Sequence, residues 1–418
     1  MATERLGSIL SHLSPFNNSL SAITAKNADD VVITLAIRTP LCKARKGGMK
    51  DTSLDLLVYT TIKEALTRSG LAPELIEDIC LGNVSNAKAA YIARAASLAA
   101  GIPTTSAASS VNRFCSSGLK AVQDIANQIA AGSIDIGLAV GAESMSEGGD
   151  RLEKPFHEVI LAHPDGADCM QPMGQTSENV AKDFNIPRVE QDKYAAESFR
   201  RAEEAQKQGY FNDEIFPFTT TIKDPKTGEE KQITLTQDEG IRPGTTFESL
   251  SKIRPAFPQF GDKSTGGNSS QVTDGAAAIL LMKRKTALQL GQPILAKFVA
   301  ATVAGVAPRI MGIGPSVAIP KLLSKLNLDL QKDIDLVEIN EAFASMAVYC
   351  KDVLKVDHSK MNVRGGAIAL GHPLGTTGAR QIVTGLSEAR RRKAKVLLTS
   401  MCIGTGQGMA GLFVNEVL

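Results

Sequence analysis

From residue 31 onward the chain alternates short apolar runs with longer amphipathic ones, and this rhythm restricts the folds open to it. "VVITLAI" (31–37) reads as a buried strand. "TSLDLLVYTTIKEALTRSG" (52–70) reads as a helix, with Thr52 or Ser53 as cap and Gly70 as stop. "DICLGNV" is a strand, "AYIARAASLAAG" a helix, and "ASSVNRF" a strand that runs into the helix "CSSGLKAVQDIANQIAAG". "IDIGLAVGAES" follows as another strand. Strands alternating with helices imply parallel pairing and an α/β layered fold.

The rhythm breaks between about 146 and 265. A charged helix, "VEQDKYAAESFRRAEEAQKQGY", and a polar hairpin, "TTTIKDPKTGEEKQITL", stand there among many Pro and Gly residues. We read this stretch (146–265) as an inserted loop domain. It divides a first α/β half (31–145 with 266–290) from a second (291–418), after a leader of residues 1–30. The second half echoes the first: "CSSGLKAVQDI" resembles "GTTGARQIVTGL", and each precedes a buried strand, "IDIGLAVGAES" or "KVLLTSMCIG". A duplicated βαβ core with two similar halves explains the echo.

Composition narrows the function. The 418 residues exceed one simple core. A net charge of +2 gives no general attraction to nucleic acid or anionic membrane. No apolar run is long enough to span a bilayer. The six cysteines (Cys42, Cys80, Cys115, Cys169, Cys350 and Cys402) form no CxxC pair, so neither a disulfide framework nor a metal site is expected. "ARRRKAK" (389–395) reads as a solvated helix end whose cations complement the dipole.

Four places carry chemistry. Cys115, in "VNRFCSSGLKAV", lies where a strand gives way to a helix, so the helix dipole favours its thiolate. The small residues Ser116, Ser117 and Gly118 leave room for a substrate. His372, in "GGAIALGHPLGTTGARQI", sits in a glycine-rich loop stiffened by Pro373, and a fixed imidazole is what a thiol needs for activation. Asn340, in "VEINEAFASMAV", follows a strand; it either caps the next helix or holds a water or oxyanion donor at the strand's C-terminal end. Cys402 begins "CIGTGQG". A dinucleotide loop there would need a following helix, but only the strand-like "MAGLFVNEVL" remains. What survives is a tight strand–turn–strand with Cys402 at the turn.

Together "CSSGL" (115–119), "NEAF" (340–343), "GHP" (371–373), "CIGTGQG" (402–408) and "GNSSQVTDGAA" (267–277) resemble the thiolase family from about residue 31 to the end. "CSSG" and "CIGTG" are similar to the degradative 3-ketoacyl-CoA branch, and "DEGIRPGTTFESLSKIRPAF" to its peroxisomal members. The resemblance implies two similar βαβαβαββ halves in a five-layered αβαβα fold, and a homodimer. It implies an acyltransferase that cleaves 3-ketoacyl-CoA with CoA as co-substrate and no permanently bound cofactor. In that scheme Cys115 is the nucleophile, His372 its activator, and Asn340 the holder of a water in the first oxyanion hole. Cys402 is the acid/base, and N–H groups of Gly404 and Cys115 form the second oxyanion hole. Met173, Phe257, Ser270, Met311 and Phe343 match positions expected against CoA.

Two residues depart from the pattern. Phe114 stands where degradative members usually carry Gln, and Pro172 stands where biosynthetic members carry His. The competing readings are acetoacetyl-CoA thiolase and a Cys–His thioester hydrolase. In the leader, Arg5, Leu6, Ile9, His12 and Leu13 fall within a helical arc of roughly 120°. Arg5-Leu6, five residues, then His12-Leu13 resembles the N-terminal peroxisomal targeting signal, implying an import receptor as partner.

Overall fold

The computed structural model describes residues 20–148 and 156–417, so Arg5, Leu6, His12 and Leu13 lie outside the described residues. The first half contains β1 (Val31–Arg38), β2 (Cys42–Lys43), β3 (Asp78–Gly82), β4 (Ala107–Val111) and β5 (Ile136–Ser144). Helices α1 (Leu54–Ser69), α2 (Ala89–Ala100) and α3 (Ser117–Ala131) connect them. Next come α4 (Met173–Asp183), α5 (Arg188–Lys207) and the hairpin of β6 (Phe218–Lys223) with β7 (Glu230–Leu235). β8 (Thr273–Lys283) then returns to the first half. The second half holds β9 (Ala296–Gly305), α6 (Gly314–Leu326), β10 (Leu336–Ile339), α7 (Ala344–Val353), α8 (Thr377–Arg392), β11 (Val396–Ile403) and β12 (Gln407–Asn415).

The strands form one sheet in the order β4-β3-β5-β8-β1-β9-β12-β11-β10, with β2 also on β8. β3 runs parallel to β4 and β5, while β8 is antiparallel to β5 and β1. The second half repeats this: β10 is parallel to β11, and β12 is antiparallel to β11 and β9. The counterpart of β4 is reduced there to a single parallel bridge, Val337 to Met361. The halves join through two pairs of β1 with β9, Val32 with Lys297 and Ile33 with Ala296.

The duplicated, five-layered α/β architecture expected from the sequence is present, and side-chain alternation shows why. In the first half Leu138, Val140, Ala278 and Leu280 face α1 and α2; their neighbours Ala139, Ala277, Ile279 and Leu281 face a central helix layer. In the second half Leu397, Met401, Met409 and Phe413 face that same layer from the other side. Leu398, Ala410, Leu412 and Val414 face outward toward α6 and α7. The central layer is α3 and α8, and glycines let them touch. A Cβ on Gly118 would lie 2.7 Å from the Ala379 nitrogen, and one on Gly378 only 2.4 Å from the Leu119 nitrogen. Gly118 therefore serves helix contact between the halves, not substrate approach as the sequence suggested.

Buried ion pairs tie the inserted stretch to both halves. Arg38 on β1 meets Glu214 (2.6 Å) and Asp238 (2.7 Å), and Glu214 also meets Arg364 (3.0 Å), which meets Glu388 on α8 (2.6 Å). Breaking one member of such a network leaves an uncompensated buried charge, at a cost of about 3–5 kcal/mol. At the end of α8, Arg391 and Arg392 pair with Glu388, as a solvated helix end would.

Candidate active site

Cys115 is held at the mouth of α3 by a tight turn. Ser117 Oγ accepts from the Arg113 N–H (2.9 Å) and donates to the Phe114 carbonyl (2.7 Å). Phe114, just before the thiol, has a φ of 46°, in the left-handed region that costs a bulky residue roughly 1–2 kcal/mol. Strain of this kind persists only because the surroundings fix it. None of the six cysteines is joined in a disulfide.

His372 is buried and held on every side. Its backbone N–H donates to the Gln271 carbonyl (3.0 Å). Gly371 takes a φ of 113°, and a Cβ there would lie 2.3 Å from Thr273 Oγ1. The glycines of this loop therefore follow from close packing against the β8 segment and the first half, a reason the sequence did not reveal. His372 Nδ1 lies 2.6 Å from Thr377 Oγ1, whose hydroxyl also sits 2.9 Å from the Pro373 carbonyl. Since that hydroxyl has one proton and donates it to Pro373, it accepts from Nδ1–H, leaving Nε2 as the basic nitrogen. Burial first, then the charge of Arg380, pulls the imidazole pKa down from 6.5 to about 3, so the ring rests neutral.

Asn340 does not cap a helix: α7 begins four residues later, at Ala344. Its Nδ2 lies 3.3 Å from His372 Nε2 and donates to it. Its Oδ1 is buried with no partner among the described residues. A buried carbonyl oxygen left over in this way suits a bound water or ligand donor.

Cys402 lies within β11, paired with Gly408 of β12, rather than at the turn. The turn itself is Gly404-Thr405-Gly406, with Thr405 and Gly406 at φ values of 70° and 85°. Met311, Ala342, Phe343 and Met346 enclose the thiol, with Met173 and Phe257 partly buried against them. Burial first, then the neighbouring Cys115 and Cys350, push the Cys402 thiol well above its ordinary range. Its apolar cage keeps it protonated.

The remaining expected residues converge here. The Phe257 and Phe343 rings meet edge to face at 6.2 Å. The Ser270 N–H donates to the Ala342 carbonyl (2.9 Å). A Cβ on Gly404 would meet the Phe114 ring at 3.8 Å and the Met173 sulfur at 4.0 Å. Phe114 and Gly404 thus bring the two cysteine segments together. Residues the sequence reading passed over are Thr377, Gln271, Met346 and Glu341. Buried Glu341 accepts from Tyr194 (3.0 Å), Ser198 (2.7 Å), Asn362 (2.9 Å) and the Ile368 N–H (3.2 Å), bracing the turn that leads to His372. Met346 alone had a local signal, one helical turn beyond Phe343. Among the described residues no cluster of His, Cys, Asp or Glu is arranged to hold a metal ion.

Residues 31–285 match the model for the thiolase N-terminal domain, and residues 292–415 that for the thiolase C-terminal domain. The peroxisomal 3-ketoacyl-CoA thiolase of Yarrowia lipolytica is 51% identical over 399 residues, covering 95% of this chain and 96% of that protein. The dimeric peroxisomal thiolase of Saccharomyces cerevisiae superposes with a TM-score of 0.88 at 46% identity, over 95% of this chain and 100% of that one. Human mitochondrial 3-ketoacyl-CoA thiolase, solved in complex with CoA, superposes with a TM-score of 0.81 at 37% identity, over 93% and 98%. Two thiols, an imidazole and an amide at the strand ends of a duplicated α/β fold, with matches across both halves, place this chain in the thiolase family.

Proposed function

We propose that this chain is a 3-ketoacyl-CoA thiolase, an acyltransferase that splits 3-ketoacyl-CoA with CoA into acetyl-CoA and an acyl-CoA two carbons shorter. Its place is fatty-acid β-oxidation in the peroxisomal matrix, as in its relatives. The observation that carries the chemistry is a caged thiol, Cys402, whose segment meets that of Cys115 through Gly404 and Phe114, together with an imidazole whose basic nitrogen is fixed.

His372 Nε2 takes the proton of Cys115, and the thiolate attacks the 3-keto carbon. N–H groups of Cys115 and Gly404 hold the oxyanion that forms. The C2–C3 bond then breaks, and the enolate of acetyl-CoA develops toward His372 and a water held by Asn340. An imidazolium is costly in the unliganded site, and the enolate supplies the anion that offsets this cost. The protonated Cys402 gives its proton to the enolate carbon, which is the task its raised pKa suits. The resulting Cys402 thiolate takes the proton of incoming CoA, whose sulfur attacks the Cys115 thioester; the Cys115–acyl bond breaks, and the Cys115 thiolate recovers its proton from the His372 imidazolium. Because the charge of Cys115 opposes ionisation of Cys402, one thiolate at a time is favoured.

Met173, Phe257, Ser270, Met311 and Phe343 form the wall proposed for the pantetheine of CoA. The stretch 146–265 is assigned to CoA binding, and CoA comes as a substrate rather than a resident cofactor. A homodimer is proposed: β4 ends the sheet with a half-exposed edge open to pairing with a second copy. The Arg5, Leu6, His12, Leu13 pattern is assigned to a peroxisomal import receptor. The test of function is the substrate-length profile in the thiolytic direction. Turnover of long 3-ketoacyl-CoAs is expected; activity confined to acetoacetyl-CoA would favour the biosynthetic reading, and hydrolysis without CoA the hydrolase.

A further inference from the structure

The halves share strand order, so the strand ends of one can be set beside those of the other. Gly82 pairs with Gly141 as Ile339 pairs with Ser400. Asn83 and Asn340 each stand one residue past a middle strand, but the pleat differs at the neighbouring strand ends. Glu143, paired with Gly275, faces the central helix layer on the side of Ala139, whereas Cys402, paired with Gly408, faces outward on the side of Leu398. Aligning the reciprocal contacts of Gly118 and Gly378 sets Cys115 against Gly375.

In the first half this counterpart site is filled by a carboxylate. Buried Glu143 accepts from the N–H groups of Gly375 (2.9 Å), Val84 (3.0 Å) and Ser85 (3.1 Å). It also accepts from Asn83 Nδ2 (3.1 Å) and the Ser85 hydroxyl. The Gly375 N–H is the counterpart of the Cys115 N–H, so the carboxylate sits where the first half would hold an oxyanion. Gly375 comes three residues after His372 and two before Thr377, which holds the His372 ring. Hydrogen bonds to a buried carboxylate are short and strong, so this one can fix the loop.

We propose that Glu143 is a positioning residue for thiolysis, an internal anion that clamps the His372 loop to the first half through Gly375. The proposal rests on His372 activating Cys115, as above. Its test compares the full-length enzyme with Glu143→Gln, which keeps the shape but turns an N–H₂ toward the donors. The readouts are kcat, KM for a 3-ketoacyl-CoA, and the rate of Cys115 alkylation by iodoacetamide. A loop displaced by a fraction of an ångström should lower kcat by at least about tenfold and slow alkylation in step, with KM within roughly twofold. A purely structural staple would lower the melting temperature and leave the alkylation rate of the folded variant alone; that result overturns the proposal. Should the Gln variant not fold, Ser85→Ala removes one donor to the carboxylate, the hydroxyl, and keeps the backbone N–H. It should slow both rates by roughly two- to fivefold, and wild-type rates would overturn the proposal. His372→Asn separates the two failures. Unchanged alkylation in that variant sinks the role of His372 itself; slowed alkylation there, with none in Glu143→Gln, sinks only the role of Glu143.

Discussion

The duplicated fold offers the same strand ends twice, and the two ends have been used differently. In the first half, Asn83 Oδ1 accepts from the Asn86 N–H (3.0 Å), and Glu143 answers the surrounding donors. In the second half, Asn340 Oδ1 is buried with no partner among the described residues, and the end of β11 carries the thiol of Cys402, which faces the outer layer rather than the central helices that Glu143 faces. One end is satisfied by its own carboxylate. The other keeps an acceptor unspent beside a thiol whose hydrogen bond goes to the Met346 sulfur (4.0 Å), and a group left unspent in a buried site is what a substrate can use. The strand ends are alike; the side chains they carry differ.

The comparison is most easily broken at Cys402. Cys402→Ser replaces the caged proton donor with a far weaker acid of similar size. CoA-dependent thiolysis should fall by about 10²–10⁴-fold, while iodoacetamide still labels Cys115; thiolysis at the wild-type rate would remove Cys402 from the mechanism. A smaller effect is expected at Thr377. Thr377→Val deletes one hydrogen bond to the His372 ring, worth about 1 kcal/mol, so kcat should drop by about five- to tenfold. Thr377→Ser should recover most of it, and equal rates for Val and wild type would mean that the hydroxyl does not hold the ring.

The smallest effect concerns pH. With its pKa near 3, His372 should show no titration step between pH 5 and 8 in an NMR titration of the ring, and no limb near 6.5 in kcat/KM. A step near 6.5 would contradict the burial argument. The sign for stability follows: between pH 6.5 and about 3 the unfolded chain binds a proton on this ring that the folded chain refuses. The contribution of His372 therefore favours the fold above pH 6.5 and is lost as pH falls through that window. His358, lowered to about 4 chiefly by burial, acts in the same sense.

Much of this was legible in the sequence, for a physical reason. Strands such as Ile136–Ser144 and Val396–Ile403 are buried on both faces, so they read as continuous apolar runs, and Gly70 and Gly132 end their helices in left-handed conformations. Cys115, His372, Asn340 and Cys402 were legible because each is a reactive type set among small residues or at a strand end. Thr377 was in view within "GTTGA" but read only as part of a helix start. Glu143 was hidden more deeply: its bond to Gly375 spans 232 residues of chain, and nothing local to "VGAES" announces it. Asn340 was open to two readings until the start of α7 at Ala344 removed the cap. The cage around Cys402 was not legible, because it comes from α4, α7 and segments between elements that no local window joins.

The central claim is that the acyl group passes through Cys115. It is tested most directly by mixing the wild-type enzyme with a long-chain 3-ketoacyl-CoA, omitting CoA, quenching, and mapping the adduct by mass spectrometry. The account predicts one acyl group, two carbons shorter than the substrate chain, on the Cys115 peptide, with one equivalent of acetyl-CoA released. An acyl group on Cys402 or elsewhere, or acetyl-CoA released with no adduct, would contradict it.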